Sequence, residues 1–196
     1  MAYHIYHTEA IILDSRPFGE GDRLLHCYTR ELGYVVAHAK SLRELRSRLR
    51  YSLQTFAHAE IDLIRGKHGW KLISARPLSQ HQSLLEHARK RTILAQHTQL
   101  VRRLIQGEES HATLFDDLLA ALRFLDLREV EEEFRAAELL FVVRLLERLG
   151  YWEGKEELAL LLTPNVWDST DALHLVTRER THVLTAVNAA LRATQL

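Results

Sequence analysis

Hydrophobic positions in the first 80 residues recur with a period of two. The clearest run is Phe56 to Ile64, where Ala57, Ala59, Ile61 and Leu63 fall on one face and His58, Glu60 and Asp62 on the other. Such alternation predicts a strand with one buried and one wet face. Arg65-Gly66-Lys67-His68-Gly69 follows as a Gly-containing hairpin connection. The chain then returns as Trp70-Lys71-Leu72-Ile73-Ser74-Ala75. Upstream, Ile5 to Leu13 reads as a first strand, Gly19-Glu20-Gly21-Asp22 as a turn, and Leu24 to Thr29 as a second strand. Gly33 turns the chain into a third, Tyr34 to Ala39. Five short, mostly antiparallel strands suit a small closed barrel, and the OB-fold is the commonest barrel of this size. Closure also removes exposed sheet edges. Ser41 to Leu53 interrupts the rhythm. Its Leu42, Leu45, Leu49 and Leu53 recur at three- and four-residue spacing, so a helical turn is expected between the third and fourth strands.

After Pro77 the period becomes 3.6. Between Leu84 and Ile105, one stripe holds Ile93, Leu94, His97, Leu100, Val101, Leu104 and Ile105. Gly107 reads as a stop and Ser110 as the N-cap of the next helix, whose apolar side holds Leu114, Phe115, Leu118, Leu119, Leu122 and Leu125. A third helix begins near Glu129, with Glu131, Glu132 and Glu133 at the positive end of its dipole, and runs to Leu149 before Gly150. Its second half is apolar nearly all round, which predicts the central buried helix. A shorter helix over Lys155 to Leu162 stops at Pro164, and a last one spans Arg180 to Ala193. The expected class is therefore α+β: an N-terminal five-stranded OB-fold β-barrel over residues 1–78, then an all-α helical domain over 79–196.

Composition narrows the chemistry. The 196 residues are 46% hydrophobic and 27% charged, values of a globular chain. Apolar runs such as Leu139 to Val143 are far short of the roughly 20 residues a membrane-spanning helix needs. Met1-Ala2-Tyr3-His4 starts no signal peptide, so the chain reads as cytoplasmic, with no membrane partner. One cysteine excludes a disulfide framework. Cys27, between His26 and Tyr28 in a strand, reads as core packing rather than a nucleophile. No phosphate loop, dinucleotide fingerprint, nucleophile elbow or His-Glu-x-x-His pair is present. The 12 histidines lack metal-ligand spacing, and His97 falls in an apolar stripe as a core residue. No constellation demands an enzyme or a cofactor. A hydrolase or metal enzyme built on the histidines is the weaker rival reading.

The charge distribution is the strongest signal. Lys+Arg and Asp+Glu both total 26, yet residues 40–76 carry nine basic groups against three acidic ones. A local excess of this size in a neutral chain points to a surface facing a polyanion, although a solvated face with scattered ion pairs would look the same. Lys40, Arg43, Arg46, Arg48 and Arg50 place five cations within eleven residues. Lys67 and His68 tip the hairpin and Lys71 follows it. Tyr28, Tyr34, Tyr51, Phe56 and Trp70 are interleaved. Binders of single strands need cations along the phosphates and aromatic faces for the bases, and both residue types occur here. Tyr34 and Trp70 thus join the basic residues as candidate nucleic-acid contacts, with core packing as the alternative for each ring.

Taken in order, these residues resemble the RecO family of bacterial recombination mediators. The resemblance is carried by Glu9-Ala10-Ile11-Ile12-Leu13, Arg16, Gly19-Glu20 and Asp22; by Tyr28-Thr29, Glu31 and Gly33; by Ala39-Lys40, Arg43, Arg46-Ser47-Arg48-Leu49-Arg50, Leu53-Gln54 and Phe56; and by Phe134, Glu138-Leu139, Leu145-Leu146 and Leu149-Gly150-Tyr151. It implies an OB-fold followed by helices, binding of single- and double-stranded DNA, and annealing of complementary strands. It also implies partnership with RecR and single-stranded DNA-binding protein, and indirectly with RecA, which the complex helps load. Catalysis is not implied, and a nucleoid-associated location is. By matching position, Lys40, Arg43, Arg46, Arg48 and Arg50 are the DNA-contacting candidates. The chain departs from the family at Ser41, where the pattern has Gly, and at Glu44, where it tends to be basic. It has no cysteine after Tyr151, where many members carry a four-cysteine zinc module. The rival class is an interaction module whose acidic helical domain docks a basic partner without DNA.

Overall fold

The computed structural model describes residues 4–42, 53–105, 107–153 and 156–194. The period-two half forms five strands: β1 (Ile5–Phe18), β2 (Asp22–Thr29), β3 (Gly33–Ala39), β4 (His58–Gly66) and β5 (Gly69–Ser79). Four antiparallel pairings and one parallel pairing, β3 with β5, close a barrel in the order β1-β2-β3-β5-β4. The inward alternation fills it with Ala10, Ile12, Leu25, Cys27, Val35 and Ile61, all buried. The architecture is an OB-like barrel followed by helices.

Two details depart from the alternation read in the sequence. β1 continues past Leu13 to Phe18, because a bulge between Ile12 and Asp14 resets which side chains face inward. His58, expected on a wet face, is buried: its Nε2 lies 2.9 Å from the Glu9 carboxylate and its ring beside that of Phe115.

The chain divides into two compact units, and the barrel unit is not contiguous. It comprises Met1–His81 together with Ile105–Phe115. The second stretch is a strap on the barrel. Glu108 accepts from the Trp70 indole at 2.9 Å and from Arg65 at 2.7 Å. Ser110 donates its hydroxyl to the Arg30 carbonyl at 2.7 Å. That bond corrects the reading of Ser110 as a helix N-cap: the following helix begins at Ala112. Gly33 has φ +65°, and a Cβ there would sit 2.2 Å from the Glu109 carbonyl oxygen. Only glycine therefore fits between strand and strap.

The other unit, Gln82–Leu104 with Asp116–Leu196, is helical. The stripe read as one helix breaks at His87 into α1 (Gln82–Glu86) and α2 (Ala88–Leu104). α3 (Ala112–Leu127) and α4 (Glu131–Arg148) follow, then 3-10 turns over Glu156–Leu162 and Val166–Asp168, then α5 (Thr170–Arg178) and α6 (Arg180–Ala193). α4 is central, packing against α2, α5 and α6, and buries Leu140, Phe141, Val143, Leu145 and Leu146. α5 is absent from the pattern read in the sequence although Ala172, Leu173 and Val176 form its buried face, because that stripe is only about one and a half turns long. The helix is nine residues long and starts at Ser169, whose side chain accepts from the Ala172 amide. One buried ion network crosses this unit: Asp117 receives Arg144 at 2.7 Å and Arg148 at 2.9 Å, and Arg144 also donates to the Thr163 carbonyl. Two guanidiniums on one carboxylate, with a carbonyl beyond, satisfy a set of groups that would be costly to bury singly. No helix among the described residues is long and apolar enough to cross a membrane.

Candidate nucleic-acid interface

The barrel has two unlike outer faces. Across β1, β4 and β5, carboxylates are prominent and already engaged. Asp62 is held below the usual carboxylate range by the Ser74 hydroxyl and by His7. Glu60 is paired with Arg76 at 2.6 Å. Glu9, whose partial burial favours the protonated form, is nevertheless held low by His58 and Arg30.

The face of β1, β2 and β3 is different. Pairing sets Arg16 beside Leu24, Leu24 beside His38, His26 beside Val36 and Tyr28 beside Tyr34. Its acids are committed. Asp14 lies 2.9 Å from Arg16 and accepts the Ser15 amide. Asp22 accepts the Ser41 amide at 2.8 Å and His38 Nε2 at 2.6 Å, and these contacts hold its carboxyl below the usual range. Ser41 sits at φ +54°, a left-handed conformation at the start of the 43–52 stretch. Asp22 thus fixes the backbone where the most basic part of the sequence begins.

The expected contacts differ in their surroundings. Lys40 is exposed and adjoins Ser41. Lys67 and Lys71 are exposed and form no ion pair among the described residues. The parallel register places Lys71 beside His38, so the β4–β5 hairpin leads into the sheet alongside β3. Tyr34 is half-buried, and its hydroxyl and His26 Nδ1 share a 2.6 Å hydrogen bond. Arg43, Arg46, Arg48, Arg50 and Tyr51 lie outside the described residues. Trp70 is a core residue, 6% exposed, with Tyr6 edge-on at 5.0 Å, Arg65 over the ring and Glu108 on its nitrogen. It has no open face for a base in this conformation. Tyr28 and Phe56 are likewise buried.

Sequence reasoning passed over one aromatic, Phe18, which is half exposed on the outer face at the end of β1. Its signal was a large apolar residue directly before a Gly-Glu-Gly-Asp turn. Cys27 offers no chemistry: burial pushes its thiol up to about 12. No group of histidine, cysteine and carboxylate side chains among the described residues is arranged to hold a metal ion.

Comparison with known proteins agrees with this architecture. Residues 1–80 match the family Recombination protein O N terminal, and residues 88–152 match Recombination protein O C terminal. A DNA repair protein RecO of Heliobacterium modesticaldum is 35% identical over 147 residues, covering 75% of this chain and 52% of that protein. One of Clostridium novyi is 30% identical, covering 75% of this chain and 57% of its own length. One of Dehalococcoides mccartyi is 28% identical over 167 residues, covering 83% and 65%. This chain thus spans about half the length of the first two relatives. With matches over both the barrel and the helices, in order, the chain belongs to the RecO family.

Proposed function

We propose that the chain is a non-enzymatic DNA-binding repair and recombination mediator. It captures the sugar-phosphate backbone on the cations of residues 40–50, assisted by Lys67 and Lys71, and brings complementary single strands together for annealing. The observation that carries this reading is the state of the charges on β1, β2 and β3 and on the β4–β5 hairpin, whose Lys71 pairs beside His38 of β3. Lys40, Lys67 and Lys71 are exposed, while the neighbouring acids Asp14 and Asp22 are occupied by groups of the barrel itself. An approaching polyanion would meet these cations beside acids already engaged, with exposed Glu20 of the β1–β2 turn as the nearby carboxylate it must avoid. The names of the relatives, DNA repair proteins, support the same reading. Partnership with RecR and single-stranded DNA-binding protein, and indirectly RecA, belongs to this proposal, as does action at the nucleoid. Sequence preference should be weak, because contacts to phosphates position a protein without reading bases.

The test is anisotropy of a labelled oligothymidine titrated with the full chain. Replacing Arg46, Arg48 and Arg50 together by Ala should abolish binding while leaving the unfolding transition in place. Undiminished affinity of that variant at low salt would remove residues 40–50 from the interface.

A further inference from the structure

Among the described residues of the barrel, Phe18 is the large hydrophobic side chain with the greatest exposure, 51%. A single exposed apolar residue needs no explanation by itself. Its setting is what distinguishes it. The ring is held edge-on to His38, with centroids 5.2 Å apart and planes at 71°. His38 is fixed by its 2.6 Å bond to Asp22, and Phe18 pairs across the strands with that same Asp22. Asp22 in turn holds the Ser41 amide at the root of the basic stretch, beside exposed Lys40. The exposed aromatic ring is therefore oriented by the residue that also fixes the start of the phosphate-binding segment. Ile73 and Val36, also exposed on the barrel, are aliphatic and present no ring.

We infer that the open face of Phe18 is a stacking platform for one unpaired base, which makes the barrel prefer single-stranded over duplex DNA. The inference rests on the DNA-binding reading above and adds the selectivity. Cations attract both forms alike, whereas in a duplex each base already has neighbours on both faces. Only an unpaired base can present its face to an aromatic ring, and such stacking tolerates any base.

Affinities of the full chain for an oligothymidine and for a duplex of the same length, at one salt concentration, test this. Phe18→Ala and Phe18→Leu should each weaken single-strand binding by about 5- to 100-fold and leave duplex binding unchanged. Phe18→Tyr should behave as the parent protein. Because Leu keeps the bulk and loses the ring, agreement between Ala and Leu assigns the effect to stacking rather than to altered packing. The platform is overturned if the Ala and Leu variants keep single-strand affinity, or lose both affinities equally. If the parent protein binds neither DNA, the underlying reading fails as well, so the two failures are separable.

Discussion

Ser41 shows how one backbone angle explains a family preference. The RecO pattern has glycine after Ala-Lys, and here a serine holds φ +54°, stabilised by the Asp22 carboxylate on its amide. A left-handed angle costs an L-residue about 1–2 kcal/mol, and glycine gives back about 0.4–1 kcal/mol through its freer unfolded chain. Ser41→Gly should therefore raise stability by about 0–1.6 kcal/mol in urea denaturation. A clear loss would mean that the serine side chain contributes something the backbone angle does not reveal. Gly33 is the converse case, since its absent side chain is what admits the Glu109 carbonyl. Both positions stood out in the sequence as punctuation. Their causes did not, because partners 19 residues away for Ser41 and 76 for Gly33 leave no local signal.

Among the elements, alternation and 3.6-periodicity made all five strands and most helices legible, since each buries a face against a core. The failures share a cause. The bulge in β1 and the strap over residues 105–115 are marked by local contacts rather than by apolar spacing, and α5 is amphipathic but only nine residues long, so its buried Ala172, Leu173 and Val176 make too short a stripe to stand out. Trp70 looked like a base contact because its neighbours are basic, and burial depends on the strand's inward register instead. For the proposed interface, the candidate cations come from the charge pattern of the sequence, and the fold adds Phe18 and the contacts of Asp22 with His38 and Ser41. The α2–α4 contact carries a pH consequence. His97 on α2 is buried and stacks on Phe141 of α4 at 4.1 Å, and burial pushes its pKa down to about 3. The unfolded chain takes up a proton near pH 6.5 and the folded chain does not, so the unfolded state binds more protons below that point. Stability should be full above about pH 6.5 and fall toward pH 3, with an upper bound on the order of 5 kcal/mol. Between about pH 4.5 and 6.5, Asp14, Asp22 and Asp62, with lowered pKa values, stay ionised and add little slope. Urea midpoints of His97→Gln across that window should decline less steeply than those of the parent. Parallel declines would remove His97 as the cause.

At the scale of the molecule, a neutral total conceals a basic stretch at residues 40–76 and an acidic excess further on. Binding driven by release of counterions should weaken linearly on a log-log salt plot, by about 0.7 per phosphate contact for single strands. The double variant Lys67→Ala, Lys71→Ala should lower that slope by about 1.4 and weaken binding evenly across DNA sequences. An unaltered slope would place the hairpin off the path of the phosphates. The proposed annealing would draw on the same physics, because two strands held on one cationic surface repel each other less than in free solution.

The strap has a practical corollary for dissecting this protein genetically. A polypeptide cut after His81 would keep every strand and still lack Glu108, Ser110 and Phe115, which serve the Trp70 indole, the Arg30 carbonyl and the Tyr28 ring. Those groups would be left to water, and a loss of DNA affinity in such a fragment would reflect an unfinished barrel as readily as a missing partner surface. A fusion that splices residues 105–115 back after His81, through a short Gly/Ser bridge, is the smallest piece whose behaviour can be attributed to the barrel.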